Sequence, residues 1–567
     1  MRGAECWTDH QLVRATLQMY IAPRHPKRAQ TVRAFYNVSH LRDPSYLQTF
    51  QSCLDDKLSA KGPLTGSSTE KWNQFRDAVK ETSKTVLGPK QRNHQDWFDK
   101  NNTAIEDLLN KKNKVMEWQN NPNSAPKKDR FKSLQATVQC EIRKMQDQWW
   151  GKKAEEIQRF ADTKNYKQFF SALKTVYGPL KPITTPLLSS DGDTLIKDKK
   201  GISNRWKEDF SRLLNRLSSV DQSALDQIPQ NHTFEQLDVP PSIEEVQKAI
   251  KQMSAGKAPG KVRIPTEVYK ALNGKALQAF HIVLTSIWEE EGMPPELRDA
   301  SIIALYKNKV TRTACDNYRG ISLLSTAGKI LAHVILNRLL SSVSEQNLPE
   351  SQCGFRPDCS TIDMVFTVRQ MQEKCLEQNP SLYIVSIDLT KVFHTVNRDA
   401  LWVILNKLSC PAKFVKLIQL FHVDMTGEVL SGGETSDHFN ISNVVKQGCI
   451  LAPVLFNLYF TQVLQHVVMD LDLGIYIKYR LDGSLFDLRR LTAKTKTTER
   501  LILEALFADD CALMAHQENH LHCGQVLYSN KTVWPDYQPQ QNRGAVPTCT
   551  RQANEPSMHY NRRHTAF

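Results

Sequence analysis

Two neighbouring aspartates, Asp509 and Asp510, interrupt an apolar stretch, LILEALFADDCALMAH at residues 501–516. The apolar runs 501–507 and 511–515 on either side predict a buried β-hairpin that presents both carboxylates at its tip. Adjacent carboxylates that both stay charged need a cation between them or water around them. The pattern fits a plain polar turn or a platform for metal ions, and a third carboxylate elsewhere would favour the platform.

The bulk composition is that of a globular protein with a polyanionic partner. The chain has 567 residues, of which 40% are apolar, and a net charge of +14. No apolar run is long enough for a transmembrane span, so we expect no membrane partner. The N-terminus lacks a signal-peptide core. Twelve cysteines without a C-x-x-C pair indicate reduced intracellular thiols and argue against a zinc module.

The sequence divides into five regions, although no internal repeat marks their boundaries. Residues 15–184 are predicted to be helical and basic, 185–241 to form a hairpin, a helix and a Pro-bearing linker, and 242–519 to mix helices and strands. The short segments 1–14 and 520–567 differ from these regions and are treated below. This division predicts a helical region that precedes an α+β domain.

The basic residues are concentrated between residues 111 and 153, a stretch that contains eleven basic and four acidic residues. Trp118, Phe131, Trp149 and Trp150 are interleaved with them. One interpretation is a solvated helix pair whose aromatic rings enter a core. The other is a nucleic-acid surface, because Lys and Arg neutralise phosphates and aromatic rings stack on unpaired bases.

A third candidate carboxylate, Asp388, lies in the stretch YIVSIDLTKVFHTVNRDALW at residues 383–402. The β-branched run 383–387 predicts a strand that ends at Asp388 and can face the hairpin tip. Taken alone, Asp388 is better explained as a strand-end cap. Three carboxylates on adjacent strands, however, can hold two divalent ions that activate a 3′-hydroxyl and stabilise a leaving pyrophosphate.

Six ordered sequence blocks together resemble the reverse transcriptase of LINE-class, non-LTR retrotransposons over roughly residues 185–516. The blocks are GKAPG (256–260), NYRGISLLS (317–325), QCGFRP (352–357), IDLTKVF (387–393), QGCILAPVLFNLYF (447–460) and FADD (507–510). The resemblance implies an α+β fold, a right-hand polymerase palm with fingers, preceded by a helical N-terminal region and with the thumb missing or disordered. The implied activity is RNA-directed DNA polymerisation.

The resemblance also implies a metal site. Asp388, Asp509 and Asp510 match the catalytic acids of the palm, and Leu389 matches a residue whose backbone carbonyl contacts a metal. The implied cofactor is a pair of Mg²⁺ ions, which Mn²⁺ could replace.

Five further residues match nucleotide-binding positions of the family. Arg319 and Lys391 match residues that grip the triphosphate, Phe393 the bulky gate that excludes a 2′-hydroxyl, and Gln447 and Gly448 the support for template and nucleotide. Without the resemblance, Arg319 and Lys391 would be interpreted as solvated charges and Phe393 as a core aromatic. The Gln447–Gly448 pair would be interpreted as part of a turn. The implied partners are an RNA template, a DNA or RNA primer and deoxynucleoside triphosphates, in the cytoplasm and nucleus.

Both ends of the chain depart from the family. CWTDHQLVR at residues 6–14 resembles the closing motif of an endonuclease, but only Asp9 and His10 of that site are present, so we predict no endonuclease activity. Residues 533–548, VWPDYQPQQNRGAVPT, can be encoded by a one-nucleotide frameshift of the family-like sequence FGLTISLSKTEVLYQP. This suggests that the tail from about residue 520 is a frameshifted, disordered segment.

These observations leave two functions open. The first is a polymerase fragment whose activity is impaired by loss of the thumb. The second is a catalytically inactive remnant that binds nucleic acid through its basic helices. A structural helical scaffold would leave the six ordered blocks unexplained.

Overall fold

In the computed structural model of the chain, the described residues are 36–89, 105–107, 125–177, 185–215, 222–309, 311–388, 396–442, 448–469, 474–480 and 497–517. The Asp9–His10 pair and the segment from residue 520 lie outside them. The endonuclease remnant and the frameshifted tail therefore stay sequence predictions.

Helices form most of the described structure, and several begin at a capping serine. The side chains of Ser67 and Ser242 each accept a hydrogen bond from the backbone N–H three residues later, and each serine N–H donates to the carboxylate of that residue, Glu70 or Glu245. The helices are α1 (Pro44–Ala60), α2 (Ser68–Thr82), α3 (Ala125–Asp162), α4 (Tyr166–Tyr177), α5 (Lys199–Leu214), α6 (Gln222–Gln227), α7 (Ile243–Gln252), α8 (Thr266–Lys270), α9 (Gly274–Glu290), α10 (Pro295–Arg298), α11 (Thr326–Leu339), α12 (Glu345–Asn347), α13 (Thr361–Gln378), α14 (Arg398–Lys407), α15 (Ala412–Gln419) and α16 (Ala452–Met469).

The strands form two larger sheets and two separate pairs. Their bounds are β1 (Leu187–Leu188), β2 (Leu195–Ile196), β3 (Ala300–Tyr306), β4 (Tyr318–Leu323), β5 (Tyr383–Asp388), β6 (Met425–Ser431), β7 (Glu434–Thr435), β8 (Phe439–Ile441), β9 (Ile475–Arg480), β10 (Thr497–Ile502), β11 (Glu504–Phe507) and β12 (Asp510–Ala515). One sheet has the order β4-β3-β6-β7, with β8 also on β6, and the other has the order β11-β12-β5. Only the β3–β6 pair is parallel among these described strands.

Most buried apolar side chains of the described residues belong to one continuous core. Trp288 of α9 and Phe414 of α15 are fully buried in it, with their rings 6.2 Å apart. A smaller cluster, which includes Met371 of α13, Ile477 of β9 and Met514 of β12, packs separately. The large core therefore joins the helices to both sheets, while the small one secures α13 beside the β11-β12-β5 sheet.

The first two helices share the large core with residues far along the chain. Trp72 and Phe75 of α2 are fully buried, and Phe75 stacks on Phe280 of α9 with ring centroids 5.3 Å apart. The Trp72 indole also donates to Glu296 at 3.2 Å. Burial of aromatic area is a main source of packing energy, so α1 and α2 are packed parts of this structure.

The basic region contains one long helix, α3, which packs against α4. Trp149 and Trp150 of α3 meet edge to face at 5.1 Å, and Trp150 remains exposed. Trp118 and the side chain of Phe131 lie outside the described residues. No described helix is both long and apolar enough to cross a bilayer.

The local sequence predictions are confirmed at several elements. The predicted hairpin and helix after residue 185 are β1, β2 and α5, and the predicted strand before Asp388 is β5. The apolar run 501–507 differs from its prediction, because it is divided between two strands. Leu501 and Ile502 pair with β9, and the hairpin that carries the acids starts only at Glu504.

Candidate active site

The strands β5 and β12 bring the backbones of two predicted acids to the same end of one sheet. Asp388 is the last residue of β5, Asp510 is the first of β12, and the two are direct partners in the antiparallel register. Directly opposite residues of such strands have Cα atoms about 4.5–5.5 Å apart. Asp509 precedes Asp510 in the hairpin loop, so the three predicted acids meet at one end of the β11-β12-β5 sheet.

The two acids of the hairpin lie in and directly after its two-residue loop. Phe507 pairs with Asp510, which leaves Ala508 and Asp509 between them. Ala508 has φ of +56°, a left-handed conformation that two-residue hairpin loops favour and that residues with a side chain rarely adopt. Asp509 is half-buried and Asp510 exposed, while the side chain of Asp388 lies outside the described residues.

The segment 351–354 supports this loop from one side. The Leu506 N–H donates to the Ser351 carbonyl at 2.8 Å, and the Cys353 N–H donates to the Leu506 carbonyl at 2.9 Å. The side chain of Gln352 is fully buried against the loop. A Cβ added to Gly354 would lie 2.0 Å from the Ala508 nitrogen, so only glycine lets the two backbones approach this closely.

Helix α16 contacts the same segment through a buried amide. Asn457 is fully buried, and its Nδ2 donates to the Gly354 carbonyl at 2.5 Å. The QGCILAPVLFNLYF and FADD blocks are therefore linked through the QCGFRP block.

Comparison with known proteins decides what kind of domain this is. Residues 306–531 match the family described as "Reverse transcriptase (RNA-dependent DNA polymerase)". The chain is 26% identical over 281 residues to the RNA-directed DNA polymerase from mobile element jockey of Drosophila melanogaster. Residues 306–531 therefore carry a reverse transcriptase domain, similar to those of non-LTR retrotransposons. This confirms the family and the presence of a polymerase domain inferred from the six blocks, five of which lie within the match.

The relatives are much longer proteins. The jockey alignment covers 49% of this chain and 28% of the relative. A probable RNA-directed DNA polymerase from transposon BS of Drosophila melanogaster is 27% identical over 39% of this chain and 24% of its own length. The R2DM Pol polyprotein of the same organism is 25% identical over 49% of this chain and 25% of its own length. The chain thus spans about a quarter of the curated relatives it matches.

A second set of contacts in the reverse transcriptase domain surrounds β4. Gly448 has φ of +107°, and a Cβ there would lie 2.7 Å from the Ser322 carbonyl. A Cβ on Gly260 would lie 2.6 Å from the Leu324 carbonyl. Arg319 is exposed on β4, the edge strand of the five-stranded sheet. Arg319 and Gly448 are thus associated with one strand, which belongs to a different sheet from the acids.

Several predicted site residues cannot be placed. Leu389, Lys391, Phe393 and Gln447 lie outside the described residues. Their roles stay predictions from the resemblance.

The donor chemistry at the hairpin fits divalent cations. Reverse transcriptases as a family use such ions, and carboxylate oxygens are the ligands that hard cations prefer. Among the described side chains, no group of three or more His, Cys, Asp or Glu residues could hold a metal ion. The side chain of Asp388, the third predicted ligand, lies outside the described residues.

A further carboxyl on β11, Glu504, has a structural contact. Burial raises the pKa of Glu504, and the Ser351 hydroxyl, which donates to its Oε1 at 3.1 Å, opposes this shift. The pair adds a side-chain link between β11 and the 351–354 segment.

Two residues of this site, Gln352 and Asn457, were missed as functional candidates from the sequence. Both lie inside quoted blocks, and Asn457 is a polar residue between Phe456 and Leu458 in an apolar run. A buried amide in such a run needs a hydrogen-bond partner, which is the signal that could have marked it. No comparable pattern marks Gln352, because its partners are brought to it by the hairpin.

Proposed function

We propose that the domain is an RNA-directed DNA polymerase that extends a primer 3′-hydroxyl along an RNA template with deoxynucleoside triphosphates. The observation that carries this proposal is the register of β5 and β12, which sets Asp388 opposite Asp510 with Asp509 one residue away. Three carboxylates at a strand end and a hairpin can hold divalent cations, and such cations stabilise the negative charge that builds up in phosphoryl transfer.

Asp388, Asp509, Asp510 and the Leu389 carbonyl would hold the metal ions, which we take to be two Mg²⁺, replaceable by Mn²⁺. Divalent ions bound there supply Lewis-acid stabilisation of the attacking and leaving oxygens. The primer 3′-hydroxyl releases its proton to water as its oxygen attacks the α-phosphorus of the incoming nucleotide. A new P–O bond forms, the bond between the α- and β-phosphates breaks, and pyrophosphate leaves in line. Asp509 is half-buried and Asp510 exposed, which leaves these two carboxylates accessible to the substrates.

The remaining predicted residues would orient the substrates. Arg319 and Lys391 would bind the triphosphate, since guanidinium and ammonium groups pair well with phosphate oxygens. Phe393 would exclude a 2′-hydroxyl. Gln447 and Gly448 would support template and nucleotide, and the tight contact of Gly448 with Ser322 places that block against β4.

The N-terminal helices would add affinity for RNA. Basic α3 carries exposed Trp150 beside Trp149, which suits binding to a backbone with unpaired bases. In this proposal 15–184 is the basic helical region, 185–241 its connection, and 242–519 the fingers and palm. The expected compartments are the cytoplasm and nucleus.

Primer extension by the purified chain on an RNA template tests the proposal. We expect template-dependent extension that is lost in Asp510→Asn and kept in Asp437→Asn, since Asp437 is a highly exposed residue that pairs with Lys207 at 3.7 Å. Retention of RNA without any extension would overturn the polymerase proposal and favour the inactive remnant. Equal extension by both variants would show that Asp510 is not catalytic.

A further inference from the structure

The amide side chain of Gln352 is enclosed by the backbone of the acid-bearing loop. Its Oε1 accepts hydrogen bonds from two N–H groups, those of Gly354 and Ala508, each at 2.9 Å. Its Nε2 donates to the Ala508 carbonyl at 3.4 Å. Two donors that converge on one atom require that atom to be the amide oxygen, so the orientation of the side chain is defined.

These bonds act on the residue that determines the direction of the loop. Ala508 is left-handed, with φ of +56°, and Asp509 and Asp510 follow it directly. A side-chain amide that binds both the N–H and the C=O of Ala508 fixes the peptide planes on either side of it. Rotation of those planes would move both carboxylates together.

The position of Gln352 is in turn fixed by its neighbours. Residues 351 and 353 bond to Leu506 on β11, and Asn457 of α16 donates to the Gly354 carbonyl at 2.5 Å. The side chain of Gln352 has no exposed surface, so water cannot replace it without a change in packing. The loop is therefore held between the 351–354 segment and α16.

We propose that Gln352 is a positioning residue, which sets the backbone of the Ala508–Asp509–Asp510 loop and thereby the placement of its two carboxylates. The inference rests on the proposed function, because it gives those carboxylates their metal-binding role. Groups that orient metal ligands change metal affinity or activity about 10–100-fold when they are lost.

The test compares Gln352→Met with Gln51→Met in the full chain. Gln51 is a matched control because its Nε2 also bonds a distant carbonyl, that of Ala271 at 2.8 Å, on a different part of the fold. Thermal unfolding of both variants is measured first, so that the later assays are run at a temperature at which each variant is folded. Three quantities are then measured: hydrogen–deuterium exchange of peptides spanning 504–512, Mn²⁺ affinity by electron paramagnetic resonance, and kcat and KM for primer extension.

For Gln352→Met we expect faster exchange in 504–512, Mn²⁺ affinity weaker by about 10-fold or more, and kcat lower by up to about 100-fold with little change in nucleotide KM. Gln51→Met should leave all three unchanged. If Gln352→Met folds and matches Gln51→Met in exchange and Mn²⁺ affinity, the positioning role is wrong.

A second variant covers the case in which Gln352→Met fails to fold. Gln352→Glu keeps an oxygen acceptor for both N–H groups, and in the protonated form that burial favours it also keeps a donor for the Ala508 carbonyl. It should retain more exchange protection in 504–512 than Gln352→Met does, or fold where that variant cannot. Where Gln352→Met does not fold, a folded Gln352→Glu chain with faster exchange in 504–512 but wild-type Mn²⁺ affinity would overturn the proposal.

The outcomes separate this inference from the proposed function. If the wild-type chain extends no primer, the polymerase proposal fails, while hydrogen exchange still decides whether Gln352 holds the loop. If the wild-type chain polymerises and Gln352→Met is unaffected, the polymerase proposal stands and the positioning role fails.

Discussion

At the scale of single residues, the space around the acid loop is set by contacts that exclude even a methyl group. Gly354 lies so close to Ala508 that a Cβ would be 2.0 Å from its nitrogen and 2.6 Å from its Cα, both backbone atoms. Backbone cannot rotate away as the end of a flexible side chain can. Any side chain at residue 354 must therefore displace the loop that carries Asp509 and Asp510.

Gly354→Ala should lower the free energy of unfolding by about 1–3 kcal/mol, the usual cost of an overpacked site. It should also reduce primer extension, because the loop moves. Gly151→Ala is the matched control: Gly151 lies in helix α3 with no atom within 4 Å of an added Cβ, so alanine should stabilise by about 0.5–1 kcal/mol. Denaturant titration measures both, and equal effects would contradict the steric argument.

At the scale of elements, the first residue of α14 holds the chain where it enters β6 and where it leaves β8. Arg398, at its first position, is buried and donates to the carbonyls of His422 at 2.9 Å, Ile441 at 3.3 Å and Ser442 at 2.6 Å. Burial lowers its pKa to about 10. The guanidinium thus satisfies one carbonyl just before β6 and two at the end of β8.

Arg398→Met should lower the free energy of unfolding by about 2–3 kcal/mol, since it leaves buried carbonyls without their donor. Arg369→Met is the comparison, because Arg369 is an exposed residue of α13 whose ion pair with Glu373 is 3.0 Å long. Exposed pairs of this spacing contribute only about 0.3–0.5 kcal/mol. Chemical denaturation of both variants checks the difference, and similar losses would show that the Arg398 bonds are not important for stability.

At the scale of the whole molecule, α1 and α2 are packed into the core of a domain whose family match begins only at residue 306. The stacked Phe75 and Phe280 rings join α2 to α9. Helices that share a core usually unfold together. A destabilising substitution in α2 should therefore also lower the stability of the reverse transcriptase domain.

Phe75→Ala should cost about 3–5 kcal/mol of stability. Its melting transition should be single and lower, followed equally by helix signal and by hydrogen exchange of the β5 and β12 strands. Phe170→Ala, at an exposed ring of α4, should have little effect. Two separate transitions in Phe75→Ala, with β5 and β12 unchanged, would show that the N-terminal helices fold independently.

The local elements and the family were predictable from the sequence, because both depend on short stretches. The β-branched run 383–387 predicts β5, two short apolar runs predict the hairpin, and six ordered blocks are specific enough to identify a reverse transcriptase domain. The same stretches suggested the three acids, but no local rule joins Asp388 to the adjacent pair Asp509 and Asp510, which lies more than a hundred residues later.

Only the tertiary structure decided which residues surround the acids. The register that sets Asp388 opposite Asp510 and the burial of Gln352 against Ala508 join segments more than a hundred residues apart. The division of the 501–507 run between two strands likewise depends on which partner strand each half finds. Backbone hydrogen bonds and close packing select these partners through space, and propensity along the chain carries no information about them.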